Sequence, residues 1–248
     1  MRLALLQPRS PAGDAEAGLE VLDRALAVAA AAGADMMVGP ELFLPGYNHE
    51  PMAADPGWPD RLAGLARAQG VGLTVGLALA DGDRLLNAAL AFGPDGAELA
   101  RYAKIQLWGA REAGHFAPGD RIAAFDFAGR RIGLAICYDV EFPEIVRAYA
   151  KAGADLILVP TGNPAPYDGV SRFVVPATAN ANALSIAYAN YCGEERGAAY
   201  AGMSVVVGPD GEALATAGLA PATLIVDLPE KSDPSLRPLS TQVEDLRF

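Results

Sequence analysis

Cys137 stands at the end of an apolar run, residues 131–136, that is typical of a buried strand. A helix-like segment, residues 145–151, follows after a short turn. This order of strand, turn and helix lifts the turn residue to the end of a sheet, where a thiol can exist as a thiolate and act as a nucleophile. Most free cysteines are small buried hydrophobic residues instead, and the local sequence leaves these two interpretations nearly even.

Three charged residues also lie between apolar neighbours at predicted strand ends. Glu41 separates the apolar runs 36–40 and 42–47, and burial there would raise its pKa toward that of a general base. Lys104 follows a predicted strand, residues 98–102, and Glu112 lies close enough in sequence to hold it charged. Each residue alone is a weak signal, because a Glu or Lys in a loop is usually solvated.

An internal repeat organises the elements that must position these residues. Residues 32–40 (AGADMMVGP) are echoed by residues 152–160 (AGADLILVP), and each copy follows a helical stretch and predicts a helix end and a strand. Two further pairs repeat in the same order, the strand starts at Arg2 and Arg131 and the Pro-Asp-Gly turns at 93–96 and 208–211. One β-α-β plan is therefore used twice.

The repeat predicts an α/β fold, a four-layer α-β-β-α sandwich with internal pseudo-two-fold symmetry. Each half offers a sheet covered by helices on one face, and the two open faces can be buried against each other. We expect one domain over residues 1–248, with a C-terminal arm from about residue 229. That arm either lies on a neighbouring subunit or is unstructured.

The composition excludes several classes of protein. The chain has 248 residues, 52% of them hydrophobic, and a net charge of −11 that argues against binding nucleic acid. No apolar run reaches membrane-spanning length, and the start of the chain does not resemble a signal peptide. The two cysteines lack metal-ligand spacing, so we expect a cytoplasmic protein with reduced thiols and no metal.

Three segments together resemble the signature blocks of the nitrilase superfamily, the carbon–nitrogen hydrolases. They are residues 39–47 with Glu41, residues 102–107 with Lys104 and the following Glu112 and Phe116, and residues 136–144 with Cys137. The resemblance runs nearly end to end and includes Asn190 and residues 202–211. It implies the α-β-β-α sandwich, assembly into homodimers or larger oligomers, and catalysis without a metal or organic cofactor.

The resemblance also implies a role for each block. Cys137 would be the nucleophile and Glu41 the general base, which would also protonate the leaving amine and later activate water. Lys104 and the backbone N–H of Tyr138 would stabilise the tetrahedral oxyanion, and Glu112 would orient Lys104 and the substrate. The reaction would be hydrolysis of a non-peptide C–N bond through a thioester.

The chain departs from the family in two places. Residues 178–182 lack the Arg and Glu that members often carry before the Asn190 strand, which we interpret as altered helix packing or dimer contact. Tyr138 and Asp139 follow the cysteine where dedicated nitrilases more often have Trp and Glu, which favours amides over nitriles. The aliphatic amidase branch is the best match.

The substrate of such an enzyme would be a small amide. Candidate substrate-binding residues are Tyr47, Glu141, Asn163 and Tyr167, together with Tyr138, and each could equally be a core or rim side chain. Glu141 could pair with an amine on the substrate, which would suit amino-acid amides.

Alternative functions remain open on the sequence. The same residues would serve a nitrilase, an N-carbamoyl hydrolase or an ω-amidase. A Cys-His hydrolase would have to use His49 or His115, the only two histidines, both expected in loops. The non-enzymatic alternative is a catalytically silent binding scaffold. Cys192 is interpreted as a structural residue at the end of a strand.

Overall fold

A computed structural model describes residues 1–247. Its strands, in chain order, are β1 (Arg2–Gln7), β2 (Met36–Val38), β3 (Gly72–Asp81), β4 (Arg84–Phe92), β5 (Glu98–Ala103), β6 (Ala123–Phe127), β7 (Arg130–Leu134), β8 (Leu156–Pro160), β9 (Ser185–Ala189), β10 (Glu194–Glu195), β11 (Ala198–Ala199), β12 (Val205–Val207), β13 (Ala213–Thr216) and β14 (Ala222–Asp227). Its α-helices are α1 (Ala15–Ala31), α2 (Trp58–Gln69), α3 (Gly109–His115), α4 (Pro143–Lys151), α5 (Val175–Asn182) and α6 (Gln242–Asp245).

Two six-stranded sheets form the centre of the molecule. The first has the order β14-β1-β2-β3-β4-β5, and the second has the order β6-β7-β8-β9-β12-β13. In both sheets the second, third and fourth strands are parallel, and the other neighbours are antiparallel. The two halves therefore match strand for strand, which confirms the predicted α/β fold and its internal repeat.

The layers follow from which strand faces are apolar. Leu3, Leu5 and Val38 of the first sheet share a buried cluster with Leu134 and Leu158 of the second, so the sheets pack on each other. Helices α1 and α2 cover the outer face of the first sheet, and α4 and α5 cover that of the second. This arrangement buries strands on both faces, as the apolar runs predicted, and gives the α-β-β-α sandwich.

The chain after β14 lies against its own subunit in the part that is described. The buried guanidinium of Arg130 donates to the backbone oxygen of Pro229 at 2.8 Å and to Glu230 at 2.9 Å, and the backbone N–H of Arg237 donates to Asp210 at 3.1 Å. These contacts anchor the predicted arm on the second half of the molecule. Whether the arm also reaches a neighbouring subunit stays a prediction.

The chain after Cys137 forms a short 3₁₀ turn, Cys137–Glu141, and helix α4 begins at Pro143, which confirms the predicted order of strand, turn and helix. Local expectations were wrong in two places. His115 ends helix α3 and does not lie in a loop. Cys192 is buried in a loop beyond the end of β9, and its backbone N–H donates to the backbone oxygen of Pro8 at 2.9 Å. Within residues 1–247, none of the helices has the length and apolar character to cross a bilayer.

Candidate active site

Cys137 sits at a strained elbow where β7 ends. Its φ of +44° lies in the left-handed region, which costs free energy for any residue that has a Cβ. Cys137 is the first residue of the 3₁₀ turn, and the 8% of its surface that stays exposed faces a cavity. The sheet and turn thus hold the thiol in one position at the carboxyl edge of the parallel strands.

Asp139 locks this elbow in place. The buried carboxylate accepts hydrogen bonds from the backbone N–H of Ile136 at 3.0 Å, the backbone N–H of Gln106 at 2.8 Å and the hydroxyl of Tyr102 at 2.8 Å. It therefore ties the Cys137 turn to the segment that carries Lys104. The sequence reasoning treated Asp139 only as a branch marker, because two of its three partners lie more than thirty residues away.

Lys104 lies between two carboxylates at the end of β5. Its Nζ is 2.7 Å from Oε1 of Glu41 and 2.8 Å from Oε2 of Glu112, and all three side chains are fully buried. Glu112 also accepts a hydrogen bond from the Tyr47 hydroxyl at 2.6 Å and one from the backbone N–H of Trp108 at 2.9 Å. The cluster therefore contains two carboxylates against one ammonium.

Glu41 has one satisfied oxygen and one free oxygen. Its Oε1 accepts from Lys104 and from the side-chain amide of Asn87 at 2.7 Å, and its backbone oxygen accepts from the Tyr191 hydroxyl at 2.8 Å. Its Oε2 is buried without a hydrogen-bond partner. A buried, unsatisfied carboxylate oxygen is costly, and it is the atom a general base would use.

The backbone of Glu41 approaches β3 closely at Gly76. A Cβ on Gly76 would lie 2.5 Å from the Cα of Glu41, so the neighbouring strand needs a residue without a side chain. The sequence reasoning missed both Gly76 and Asn87. A single amide in the apolar run of β4 was the available signal for Asn87, since a buried polar group needs a partner.

The charges of the cluster set the proton affinities. Burial raises the pKa of Glu41 from 4.5 to about 7, a rise that Lys104 opposes and Glu112 reinforces. Burial lowers the pKa of Lys104, but the charges of Glu41, Cys137 and Glu112 outweigh it and raise that pKa above its ordinary value. Lys104 therefore stays protonated at neutral pH.

The surroundings of Cys137 favour its protonated thiol. Burial raises its pKa well above the ordinary value and the charge of Glu41 adds to the rise, while Lys104 and the backbone N–H of Gly162 oppose it. The balance favours the thiol over the thiolate, because burial and the charge of Glu41 together outweigh Lys104. A base is needed to take the proton when the sulfur attacks.

A cavity of about 260 Å³ opens over Cys137. All the predicted substrate-binding residues line it, and so do Trp108, Gly162 and Pro164, which the sequence reasoning did not name as pocket residues. The lining residues are Tyr47, Trp108, Cys137, Tyr138, Glu141, Gly162, Asn163, Pro164 and Tyr167. The rings of Trp108 and Tyr167 meet edge to face with their centres 5.8 Å apart, and both rings are partly exposed, which places them at the mouth.

Asn190 fixes one wall of the cavity. Its side-chain oxygen accepts from the backbone N–H of Asn163 at 2.9 Å, and its side-chain amide donates to the backbone oxygens of Asn163 and Gly202 at 3.2 and 2.9 Å. Asn163 in turn donates to the backbone oxygen of Tyr167 at 2.8 Å. The loop between β8 and α5 is thus held by side-chain amides.

The two histidines lie outside the cavity lining. His115 is 3.0 Å from a carboxylate oxygen of Glu50, and His49 packs beside Gly13. This placement disfavours a Cys-His hydrolase. Within residues 1–247, no group of three or more His, Cys, Asp or Glu side chains is arranged to hold a metal ion.

Known proteins match this chain over nearly its whole length. The carbon–nitrogen hydrolase family model matches residues 2–233. An (R)-stereoselective amidase from Pseudomonas sp. is 33% identical over 235 residues, which are 92% of this chain and 85% of the amidase. The NitN amidase from Nesterenkonia sp. AN1 is 37% identical with a TM-score of 0.92, and the match covers 100% of this chain and 96% of that structure.

A second structure of the Nesterenkonia amidase bears on the chemistry. It is a glutamate-to-glutamine variant that shows covalent addition of the acetamide moiety of fluoroacetamide at the active-site cysteine. Its TM-score to this chain is 0.91 at 37% identity, and the match covers 100% of this chain and 94% of that structure.

Proposed function

This chain belongs to the carbon–nitrogen hydrolase family and is an amidase-type hydrolase, and we propose that Cys137, Glu41, Lys104 and Glu112 cleave the C–N bond of small amides within it. The reaction passes through a thioester on the cysteine and releases ammonia or an amine. The observation that carries the assignment of residues is the buried Glu41–Lys104–Glu112 cluster, with its free Glu41 oxygen, beside the Cys137 thiol.

In the acylation half, the sulfur of Cys137 attacks the amide carbonyl carbon and Glu41 takes the thiol proton. A pKa of about 7 suits this transfer, because half of the carboxylate is ionised near neutral pH. The carbonyl oxygen becomes an oxyanion that the Lys104 ammonium and the backbone N–H of Tyr138 stabilise. When the C–N bond breaks, Glu41 passes its proton to the leaving nitrogen, and the thioester remains.

In the deacylation half, Glu41 takes a proton from water as the water oxygen attacks the thioester carbonyl. The same ammonium and N–H stabilise the second oxyanion. The C–S bond then breaks, the carboxylic acid leaves, and the proton on Glu41 returns to the sulfur. Dividing amide hydrolysis into these two steps lowers the barrier of each.

Glu112 serves this cycle without exchanging protons. Its charge helps to keep Lys104 protonated, and its hydrogen bond from Tyr47 links the catalytic cluster to the cavity wall. We propose that Tyr47, Asn163 and Tyr167 bind the substrate, since they line the cavity with Cys137. The volume of about 260 Å³ supports a small aliphatic amide as the substrate class.

The test is ammonia release from a panel of small amides, matched nitriles and N-carbamoyl compounds. Turnover of amides by the parent and none by Cys137→Ala supports the proposal. Preference for nitriles or carbamoyl compounds would keep the mechanism and overturn the proposed substrate class. Absence of turnover of every compound, together with no labelling of Cys137 by a thiol reagent, would favour the silent scaffold.

We also propose that the enzyme acts in the cytoplasm as a homodimer, with residues 1–248 as one domain. Both cysteines are free thiols in the part of the chain described, which suits a reducing compartment. The homodimer is the assembly that the family resemblance implies. Phe173 is 64% exposed, and we expect the partner subunit to cover it. A monomer mass by light scattering, or recovery of the chain outside the cytoplasmic fraction, would contradict these two proposals.

A further inference from the structure

Glu141 is an unpaired carboxylate in the wall of the cavity. It ends the 3₁₀ turn that begins at Cys137 and lies only partly exposed. Among residues 1–247 no donor or cation forms a hydrogen bond or ion pair with its side chain, whereas Glu50 and Asp168 are each paired with an arginine. Burial raises the pKa of the Glu141 carboxyl, as expected for a carboxylate without a bonded partner.

The cavity offers Glu141 no cation of its own. Glu141 is the one Asp, Glu, Lys, Arg or His side chain among the residues that line it. Two cations outside the lining are committed elsewhere. Lys104, whose charge opposes the rise in the pKa of Glu141, lies between two carboxylates, and Arg111 is 3.1 Å from Glu50 while it stacks over the Tyr47 ring. The cavity is therefore lined by negative charge and aromatic rings, a combination that favours a cationic group.

We propose that Glu141 selects small amides that carry a protonated amine a few bonds from the carbonyl carbon, by forming a charge-assisted hydrogen bond with that amine. This inference rests on the proposed function, because it assigns a substrate class to the same cavity. It also implies that amides bearing a carboxylate are rejected by repulsion at this wall.

The cavity limits the distance between the two groups of the substrate. Cys137 and Glu141 are the first and last residues of one 3₁₀ turn. Both side chains line the same cavity of about 260 Å³. The small volume favours an amine on the second or third carbon from the carbonyl over one on a long amino-alkyl chain.

Three small amides separate the effect of the substrate's charge from that of its chain length. They are 3-aminopropanamide, butanamide and succinamic acid, which carry an ammonium, a methyl and a carboxylate at the same chain position. The alkylamine is protonated at neutral pH. We expect kcat/KM to fall in that order, with 3-aminopropanamide favoured over butanamide by about tenfold or more, the magnitude of one hydrogen bond to a charged group.

Glu141→Gln is the test variant and Glu144→Gln is its matched control. Both remove one negative charge, but Glu144 is exposed at the start of α4 and does not line the cavity. In Glu141→Gln we expect the ratio of kcat/KM for 3-aminopropanamide to that for butanamide to fall about tenfold or more. In Glu144→Gln the ratio should equal that of the parent.

The outcomes are distinguishable. A ratio that does not change in Glu141→Gln, or that falls equally in both variants, overturns the inference while the amidase function stands. An equal loss on all three amides makes Glu141 a structural residue and also overturns it. If the parent hydrolyses no amide, the proposed function fails, and equilibrium binding of the three amides to Cys137→Ala still tests the selection: equal affinity for the amine and the methyl compound contradicts it.

Discussion

Replacing Glu41 with Gln should abolish amide hydrolysis and yet stabilise the folded protein. The buried cluster of Glu41, Lys104 and Glu112 carries one negative charge in excess. Gln keeps an oxygen that can accept from Lys104 and Asn87, and it removes the ionised oxygen that has no partner. The variant thus loses the base but also loses an uncompensated buried charge.

The magnitude follows from the pKa of Glu41. The pKa of Glu41 rises from 4.5 to about 7 on folding, so the unfolded state loses the Glu41 proton at a lower pH than the folded state does. The contribution of Glu41 to the free energy of unfolding is therefore fully present below pH 4.5 and is lost as the pH rises through about 7. At about 1.4 kcal/mol per pH unit, the loss at pH 8 reaches about 3 kcal/mol.

We expect Glu41→Gln to recover about 1–3 kcal/mol of this loss. The recovery is limited because Lys104 exchanges one charged partner for a neutral one. At pH 8 that corresponds to a rise in Tm of roughly 2–10 °C for a domain of this size. At pH 5 the two proteins should differ by less than about 1 kcal/mol, because the parent's Glu41 is then largely protonated.

Thermal unfolding of parent, Glu41→Gln and Glu144→Gln at pH 5 and pH 8 provides the assay. Glu144→Gln removes the same charge from an exposed site, so it controls for the net charge of −11. A Glu41→Gln variant that is less stable than the parent at pH 8, or a stability difference that is the same at both pH values, would show that Glu41 carries no uncompensated charge.

The same geometry sets three further expectations. The kcat/KM for butanamide should rise with pH and level off above about 7, because Glu41 must be ionised to take the thiol proton; a flat profile from about pH 5 to 8 contradicts this. Asp139→Asn should lower the free energy of unfolding by about 2–3 kcal/mol, since one amide oxygen cannot accept the three elbow hydrogen bonds; an unchanged urea midpoint would refute that role. Gly76→Ala should lower kcat/KM about 100-fold by displacing the Glu41 backbone, whereas Gly64→Ala, with open space around its Cβ position, should not; equal activities would contradict the close approach.

Much of the fold could be predicted because the repeat left strong local signals. Gly33 and Gly153 end corresponding helices with φ of +68° and +81°, and the two Pro-Asp-Gly turns join antiparallel strands. Apolar runs without alternation indicated strands buried on both faces. The 3₁₀ turn after Cys137 could not be predicted, because the carboxylate that stabilises it accepts from the Gln106 backbone N–H and the Tyr102 hydroxyl, both distant in sequence.

The site was predictable in its residues and less so in its chemistry. Glu41, Lys104, Glu112 and Cys137 could be placed together from the family blocks, and their catalytic roles stay predictions. The pKa of Cys137 could not be predicted, since its direction depends on the balance of two carboxylates, one ammonium and burial. That balance depends on the distances between groups from separate segments of the chain, and no pattern along the sequence encodes those distances.

Peptide mapping of the acyl-enzyme tests whether Cys137 carries the thioester. The parent and Cys137→Ala are each incubated with saturating butanamide, quenched in acid during turnover, digested and analysed by mass spectrometry, with ammonia release followed in parallel. We expect one butanoyl group on the peptide that contains Cys137 in the parent, and neither adduct nor ammonia release in Cys137→Ala. A butanoyl group on a different residue, or turnover that persists in Cys137→Ala, would contradict it.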